Sequence, residues 1–529
     1  MIKRIAALLI AFAFAGDVPA SNDLAEADIN RKILQETSEH SQVMRIARIL
    51  TDVYGPRLTG SPNFKAACDW TLNEMKDWGL SNPHLETWDF GYEGWANQKC
   101  SVNVIAPYKS NLECEAVAWT PGTRGRIRAQ AVLIAPPANP SAETLNRFMD
   151  GVKEKIYRKV VLVGEPKPVI VSSGVPRKRL EKDEIWKHID PFGPDPCLAQ
   201  APELPRNEGK TLESWQVNEL IDSLLLGNDV VAKMIDAERD DGQVAVLGAR
   251  IQDVSKSVPG LVLRREDYGR IARTLASGSN IEMELEISNE SYPEGKTSFN
   301  VIAEIPGTEK KKETVMLGAH LDSWHGATGA TDNAAGVSAM MEAMRILQKL
   351  GIRPRRTIRL ALWGGEEQGL LGSKAYVEDH FGTYEKRKAE YSGLMAYLNM
   401  DSGTGRVRGA MVFGPPEAAA FIRGILKPFE DLGVVGAISS GNRIRGSTDS
   451  TSFNWAGLAG IWLQQDPLEY FTSTLHTNLD TFEHLSESDL KQCAIVAAAL
   501  AYHLAMSEES LPKFGDYSMP KPGTNSGCR

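Results

Sequence analysis

Residues 313–338, ETVMLGAHLDSWHGATGATDNAAGVS, constrain the fold most, because they join a short apolar run to a long amphipathic helix pattern. Residues 314–317 predict a buried strand that ends near His320, and the apolar residues that follow recur at helical spacing. In an open α/β sheet, polar residues beyond the carboxyl ends of the strands gather in one crevice. We therefore expect His320, Asp322 and Asp332 to lie together. Taken alone, Asp332 could cap the helix and His320 could be a hydrogen-bonded core histidine.

Three later segments add side chains of the same kind. Residues 355–369, RRTIRLALWGGEEQG, predict a strand followed by the adjacent acids Glu366 and Glu367. Asp401 ends an apolar run in LMAYLNMD, and His476 lies in LHTNLDT after another strand-like run. A pair of glutamates is also typical of a solvated helix start, so the ordered combination is more informative than any single segment.

The combined residues predict a site for two Zn²⁺ ions. Nitrogen and oxygen donors without thiolate are typical of a catalytic zinc site, and without metal several acids in one crevice would repel one another. Asp332 would bridge the two ions, Asp322 would orient the imidazole of His320, and Glu366 would act as general acid and base. The expected ligands are His320, Asp332, Glu367, Asp401 and His476.

The phrases HLDS, TDNAAG, WGGEEQGLLGS, NMDSG and HTNLDT, in this order, resemble the dizinc exopeptidases of peptidase family M28. YGPRLTGSP and GSTDSTSFNWAG extend the resemblance to most of the chain, which within the family is most similar to the plasma glutamate carboxypeptidase, or carboxypeptidase Q, branch. The resemblance implies an α/β fold with a mostly parallel sheet flanked by helices, and a homodimer. It also implies Glu366 as base, one zinc on His320, Asp332 and Asp401, and the other on Asp332, Glu367 and His476.

Three residues are candidates for substrate binding. Some M28 members carry a tyrosine beside the metal histidine, but Leu475 precedes His476 here. Tyr470 is the nearest substitute or simply an aromatic packing residue, so we assign oxyanion stabilisation to the metals. Arg443 and Arg445 lie in a polar, glycine-rich loop. A guanidinium there could grip a substrate carboxylate, and a solvated loop is the alternative.

The first twenty residues predict a secretory signal, with a basic start, an apolar stretch at residues 5–15, and Val18 and Ala20 before the cut. No later apolar run reaches membrane length, so we expect a secreted or periplasmic protein without membrane contact after cleavage. The net charge of −9 and the lack of a basic patch argue against nucleic acid as a partner.

Changes in composition divide the chain into five parts. Strand and helix patterns alternate in the catalytic part, whereas the insert contains short strand candidates, such as residues 244–247, between proline-rich and charged loops. The insert resembles a β-rich protease-associated domain that would roof the site and restrict substrate size; a separate binding module is the alternative. The parts are a signal peptide (1–20), a first peptidase segment (21–112), the insert (113–292), the catalytic segment (293–508) and a flexible tail (509–529).

Six cysteines are too few for a disulfide scaffold. Cys100 and Cys114 could pair in an oxidising compartment, whereas Cys68 and Cys493 lie in helix patterns and are predicted to be buried free thiols. The sequence thus predicts an exported dizinc exopeptidase that hydrolyses terminal bonds of short peptides or dipeptides. The alternative is a non-catalytic, receptor-like or peptide-binding protein on the same fold.

Overall fold

The computed structural model describes residues 21–169, 179, 211–246, 248–249, 251–444 and 447–523. The predicted signal peptide and the candidate Arg445 lie outside these ranges, as do two of the six cysteines, Cys197 and Cys528. None of the helices within these ranges is long and apolar enough to cross a membrane.

The described residues form two eight-stranded sheets. In chain order the strands are β1 (Ser81–Asp89), β2 (Gly94–Ala106), β3 (Ser110–Asn111), β4 (Cys114–Ala116), β5 (Ile127–Ile134), β6 (Val160–Val163), β7 (Ala232–Asp236), β8 (Gly260–Leu263), β9 (Glu282–Tyr292), β10 (Thr297–Ile305), β11 (Lys310–His320), β12 (Arg356–Trp363), β13 (Leu394–Asn399), β14 (Val407–Phe413), β15 (Gly436–Ser440) and β16 (Gly460–Gln465). The α-helices are Ser21–His40, Val43–Arg48, Pro62–Asp77, Ala142–Ile156, Ser214–Leu226, Arg265–Ala276, Ala335–Lys349, Leu371–His380, Pro416–Leu426, Ser450–Trp455 and Glu487–Met506.

The first sheet has the strand order β1-β10-β12-β11-β13-β16-β14-β15. Its central strands β12, β11, β13 and β16 are parallel, and antiparallel strands lie on both sides of them. Central parallel strands are covered on both faces, which explains why every residue of β13 is buried. The fold is therefore α/β, as predicted, with the parallel pairing concentrated at the centre.

Helices cover both faces of the first sheet. Successive side chains of a strand point to opposite faces, and Val315 and Leu317 of β11 belong to a different apolar cluster from Met316. The cluster on the Val315 side includes the helices 335–349 and 487–506, which contact each other. The almost continuously apolar stretch before Met506 is buried there, as its composition predicts.

The second sheet has the order β3-β2-β9-β5-β6-β7-β8-β4. Its strands β5 to β8 are parallel, whereas β2 and β9 form a long antiparallel pair. Because β2 pairs with β9 along its length, this sheet begins at Gly94, before the predicted boundary at Glu113. The chain crosses between the sheets just before Gly94 and near Gly295, and both crossings touch the backbone of Gly60, where no β-carbon would fit.

The tail that we predicted to be flexible from residue 509 is packed over its described part. Leu511 is buried and Lys513 donates a hydrogen bond to the carbonyl of Leu394. Phe514 contacts Phe413 edge to face. These contacts replace solvent around an apolar surface of the first sheet, so residues 511–514 belong to the folded domain.

Candidate metal centre

The five predicted ligands meet at the carboxyl edge of the parallel strands. His320 ends β11, Asp401 follows β13, and Glu367 lies in the turn after β12. Asp332 precedes the helix 335–349, and His476 lies in the loop after β16. The carboxyl ends of neighbouring parallel strands share one edge of the sheet, so residues far apart in sequence come together here.

Asp332 lies between the two histidines. Its Oδ1 is 3.2 Å from Nε2 of His320, and its Oδ2 is 3.2 Å from Nε2 of His476. The Nε2 of His320 is also 3.2 Å from Oδ1 of Asp401, and that of His476 is 3.0 Å from Oε2 of Glu367. The side chains thus form two groups that share one carboxylate.

The chemistry of this set fits zinc. It contains two imidazoles and three carboxylates without sulfur, and donor atoms of His320, Asp332 and Glu367 lie within 4.8 Å of one another. Oε1 of Glu367 is buried and has no hydrogen-bond partner in the described part of the chain, which is costly unless a cation takes that place. The residues present could therefore hold the metal that the sequence predicts.

Charge inside this crevice shifts the pKa values of its members in opposite directions. Burial disfavours charged imidazoles, but Glu367 and Asp332 raise the pKa of His476 to about 11. Burial and the charge of Asp332 raise the pKa of Glu367 to about 7. Burial would raise the pKa of Asp332 as well, but its hydrogen bonds to His320 and His476 lower it instead. Asp332, which contacts both histidines, is thus more acidic than Glu367.

Asp480 holds the loop that carries Asp332. Its Oδ1 accepts hydrogen bonds from the N–H (2.5 Å) and the hydroxyl (2.7 Å) of Thr331, and its Oδ2 accepts from the N–H of Asp332 (3.2 Å). Asn333 donates to the carbonyl of Met400, and the peptide bond between Asp332 and Asn333 is cis. Sequence reasoning missed the role of Asp480, although its position in HTNLDT, four residues after His476, marks it as part of that motif.

Asp322 contacts His320 in a different way from the one predicted. The Nδ1 of His320 is 3.0 Å from the main-chain carbonyl of Asp322, whereas the carboxylate lies 3.7 Å from that nitrogen. The carboxylate instead accepts the N–H groups of Glu366 and Glu367, at 3.2 and 3.3 Å, and the hydroxyl of Thr59. Asp322 therefore fixes the ring of one ligand through its backbone and the turn of the two glutamates through its side chain.

Arg57, from YGPRLTGSP, is fully buried, and its guanidinium donates only to main-chain carbonyls among the described residues. Its guanidinium links the N-terminal segment, the loop after β11 and the loop before Asp332 by hydrogen bonds to the carbonyls of Leu50, Gly55, Leu321, Thr328 and Gly329, at 2.8–3.1 Å. Burial lowers the pKa of Arg57 to about 10, opposed by the charges of Asp480 and Asp322. It is thus a permanent cation beside the acidic crevice.

Glu366 is a buried carboxyl group with a raised pKa. Burial raises its pKa well above the ordinary value; the charge of His320 opposes this, and Asp401 and Asp449 reinforce it. Asp449, fully buried in GSTDSTSFNWAG, has its own pKa raised to about 8, mainly by burial. A carboxyl group with a raised pKa can both accept and release a proton near neutral pH.

Two of the three substrate-binding candidates are described. Tyr470 is 6% exposed beside Gly403, and burial and then the charges of Asp332 and Asp401 raise the pKa of its phenol, so it lies near the crevice. Arg443 does not face the crevice. It is 2% exposed and donates to the carbonyls of Trp455 and Pro520, so its predicted role in gripping a substrate is wrong.

A small pocket opens beside Asp332, Glu367 and His476. Its other walls are Val246, Trp324, Gly326, Ala327, Gly329, Thr477 and Asp480, so no lysine or arginine of the described residues lines it. The pocket is small and acidic, and part of its wall, Val246, comes from the insert.

Comparison with known proteins identifies the family. The model of peptidase family M28 matches residues 300–501. Carboxypeptidase Q of Xenopus laevis is 31% identical over 504 residues, which cover 94% of this chain and 92% of that protein. Carboxypeptidase Q of Mus musculus is 27% identical over 494 residues, which cover 93% of this chain and 91% of that protein.

Solved structures agree in fold. A peptidase M28 precursor from Shewanella amazonensis SB2B, 23% identical, aligns with a TM-score of 0.66 over 94% of this chain and 100% of that chain. The zinc aminopeptidase BSAP from Bacillus subtilis, 16% identical, aligns with a TM-score of 0.55 over 90% and 98%. The chain belongs to peptidase family M28 and is a zinc metallopeptidase.

Proposed function

We propose that this metallopeptidase is an exported exopeptidase with two zinc ions, which hydrolyses terminal peptide bonds of short peptides or dipeptides. The observation that carries the proposal is the position of Asp332, which presents one carboxylate oxygen to His320 and the other to His476, at 3.2 Å each. A carboxylate shared in this way is suited to bridging two cations.

In this proposal His320, Asp332 and Asp401 hold one ion, and Asp332, Glu367 and His476 hold the other. When bound, zinc would supply Lewis-acid polarisation of the substrate carbonyl and would lower the pKa of a water molecule. The buried Oε1 of Glu367, which no described residue pairs with, supports the second of these sites.

Glu366 is proposed to move the proton. It accepts a proton from the attacking water and donates it to the leaving amine nitrogen as the C–N bond breaks. Its raised pKa suits both steps, and the hydrogen bond from its N–H to Asp322 fixes the turn that carries it. The phenol of Tyr470, kept protonated by its raised pKa, is a candidate hydrogen-bond donor to the substrate.

Restriction to short substrates rests on the second sheet. Val246 of the insert closes one wall of the pocket, so a long chain extending in that direction would meet the insert. We propose that residues 113–292, together with β2 and β3, form the protease-associated-like domain that roofs the site. The proposal that the protein is exported rests on the signal pattern of residues 1–20. The proposal that it forms a homodimer rests on the family resemblance.

The test is zinc analysis combined with peptide profiling. The purified protein is expected to carry two zinc ions per chain and to cleave a library of dipeptides and short peptides in which the amino end, the carboxyl end, both or neither are blocked. Loss of cleavage on blocking one end assigns the direction. Less than about one zinc per chain together with no peptidase activity after zinc addition would contradict the proposal.

A further inference from the structure

Residues 244–246 of the insert pair with the loop that carries His476. The N–H of Val246 donates to the carbonyl of His476 at 2.7 Å, and the N–H of Asn478 donates to the carbonyl of Val244 at 3.1 Å. The side chain of Asn478 accepts the N–H of Val244 at 2.9 Å. These bonds form a short antiparallel bridge centred on Ala245 and Thr477.

The bridge supports a residue whose own conformation is unfavourable. His476 has a φ of +56°, a left-handed conformation that costs free energy for a residue with a β-carbon. The carbonyl of His476 accepts the hydrogen bond from the N–H of Val246. Such a conformation persists only when the surrounding structure fixes it.

The two histidines of the centre are held differently. The ring of His320 is 1% exposed and its Nδ1 contacts a main-chain carbonyl at 3.0 Å. The side chain of His476 is 36% exposed, and no hydrogen bond to its Nδ1 is found among the described residues; its ring contacts the edge of Trp324. Metal-binding histidines are usually oriented through their second nitrogen. The direction of the His476 ring therefore depends on its backbone.

The insert also lies against the neighbouring loop. A β-carbon at Gly326 would overlap Val246, and one at Gly248 would overlap the ring of Trp324. Val246 and Trp324 also line the pocket beside His476, so the insert and this loop are in close contact at the pocket wall.

We propose that Val246 of the insert is a positioning residue of the metal centre: its main-chain N–H holds His476 in the conformation that directs Nε2 at Asp332 and Glu367. The insert is thus part of the zinc site as well as its roof. This inference rests on the proposed two-zinc site. It implies that the insert increases the zinc affinity of the site that contains His476. The zinc affinity of the site that contains His320 should depend little on the insert.

The experiment compares proline at two adjacent positions. Val246→Pro removes the N–H that bonds His476, whereas Ala245→Pro removes an N–H with no partner among the described residues and serves as the matched control. Zinc-stripped proteins are titrated with zinc against a chromophoric chelator. We expect Val246→Pro to weaken one of the two zinc sites by about 10- to 100-fold and Ala245→Pro to leave both unchanged.

Thermal unfolding of the zinc-stripped proteins shows whether each variant folds. Asn478→Ala removes the side-chain oxygen that accepts the N–H of Val244 and so weakens the support of the bridge while keeping its main-chain bonds. It decides the question if Val246→Pro does not fold, and it is expected to weaken the same zinc site by a smaller factor. Equal zinc affinity in wild type and in either folded bridge variant, or equal loss in Ala245→Pro, would overturn the inference. If the wild-type protein itself binds fewer than two zinc ions, the proposed function fails and this inference with it.

Discussion

Arg57 offers the sharpest test of how the metal loops are held in place. We consider Arg57→Met, which keeps most of the side-chain length but removes the charge and all five hydrogen bonds to main-chain carbonyls. These bonds join three separate segments, and the substitution removes the donor that links them; among the five carbonyls, that of Gly329 still accepts the N–H of Ala334. The variant should therefore destabilise the fold and loosen the loops that carry His320 and Asp332.

The magnitude follows from two opposing effects. Five charge-assisted hydrogen bonds at about 1.5 kcal/mol each contribute about 7 kcal/mol. Burial of the guanidinium opposes this, because the fall of its pKa to about 10 corresponds to about 3 kcal/mol. The difference predicts that Arg57→Met lowers the free energy of unfolding by about 4 kcal/mol, a loss typical of a broken buried network.

Urea unfolding followed by far-UV circular dichroism, in buffer containing a chelator, measures this free energy without a contribution from zinc. Arg128→Met is the matched control, since Arg128 is 65% exposed and paired with Glu284, and it should cost less than about 1 kcal/mol. Arg57→Lys, which keeps the charge but loses the planar fork, should fall between the two. A loss below about 1 kcal/mol in Arg57→Met would refute the reasoning.

Three further predictions concern other parts of the molecule. Glu366→Gln should reduce kcat by about 10²- to 10⁴-fold with both zinc ions retained, whereas Glu367→Ala should lose zinc. Plasma emission analysis measures the bound zinc and a peptidase assay measures kcat. Near-normal activity of Glu366→Gln would contradict the assignment of Glu366 as general base. The pKa of His380 is raised, first by its hydrogen bond to a glutamate of β1, so its stabilising effect is complete below about pH 6.5 and is lost as the pH rises through the raised pKa. His380→Gln should accordingly lower the melting temperature more at pH 6 than at pH 9, and an equal loss at both would argue against the ion pairs. The Sγ atoms of Cys100 and Cys114 lie 3.7 Å apart, so treatment with glutathione disulfide should link them and stabilise the fold by about 3 kcal/mol, an effect absent in Cys100→Ser.

The positions of the strands in the catalytic part could be predicted because their apolar runs are bounded by glycine and acids. The run before Asn399 is predicted to start at Leu394, as observed, because every one of its residues is buried between two layers of helices. The ligand positions follow from the same pattern, since each donor comes directly after a strand or in the adjoining loop. Their convergence depends on parallel pairing, which the βαβ alternation predicts.

Other features depend on contacts that leave no local pattern. Arg443 is an arginine in a glycine-rich loop, and nothing in its neighbourhood shows that the carbonyls of Trp455 and Pro520 lie beside it. Arg57 is hidden for the same reason, because its five partners are spread over almost three hundred residues of sequence. The apolar run 244–247 predicts an ordinary strand, but its described residues make one bridge to a distant loop.

The meeting of Gly60, Gly94 and Gly295 has a consequence for natural variation. Both passages of the chain between the two sheets touch backbone to backbone there, so even one methyl group would push the passages apart. Such a change would shift the second sheet relative to the first while leaving the side chains of the proposed metal site unchanged. Variants that impair this enzyme should therefore form two separate groups along the chain, one at the donors and one at this crossing point.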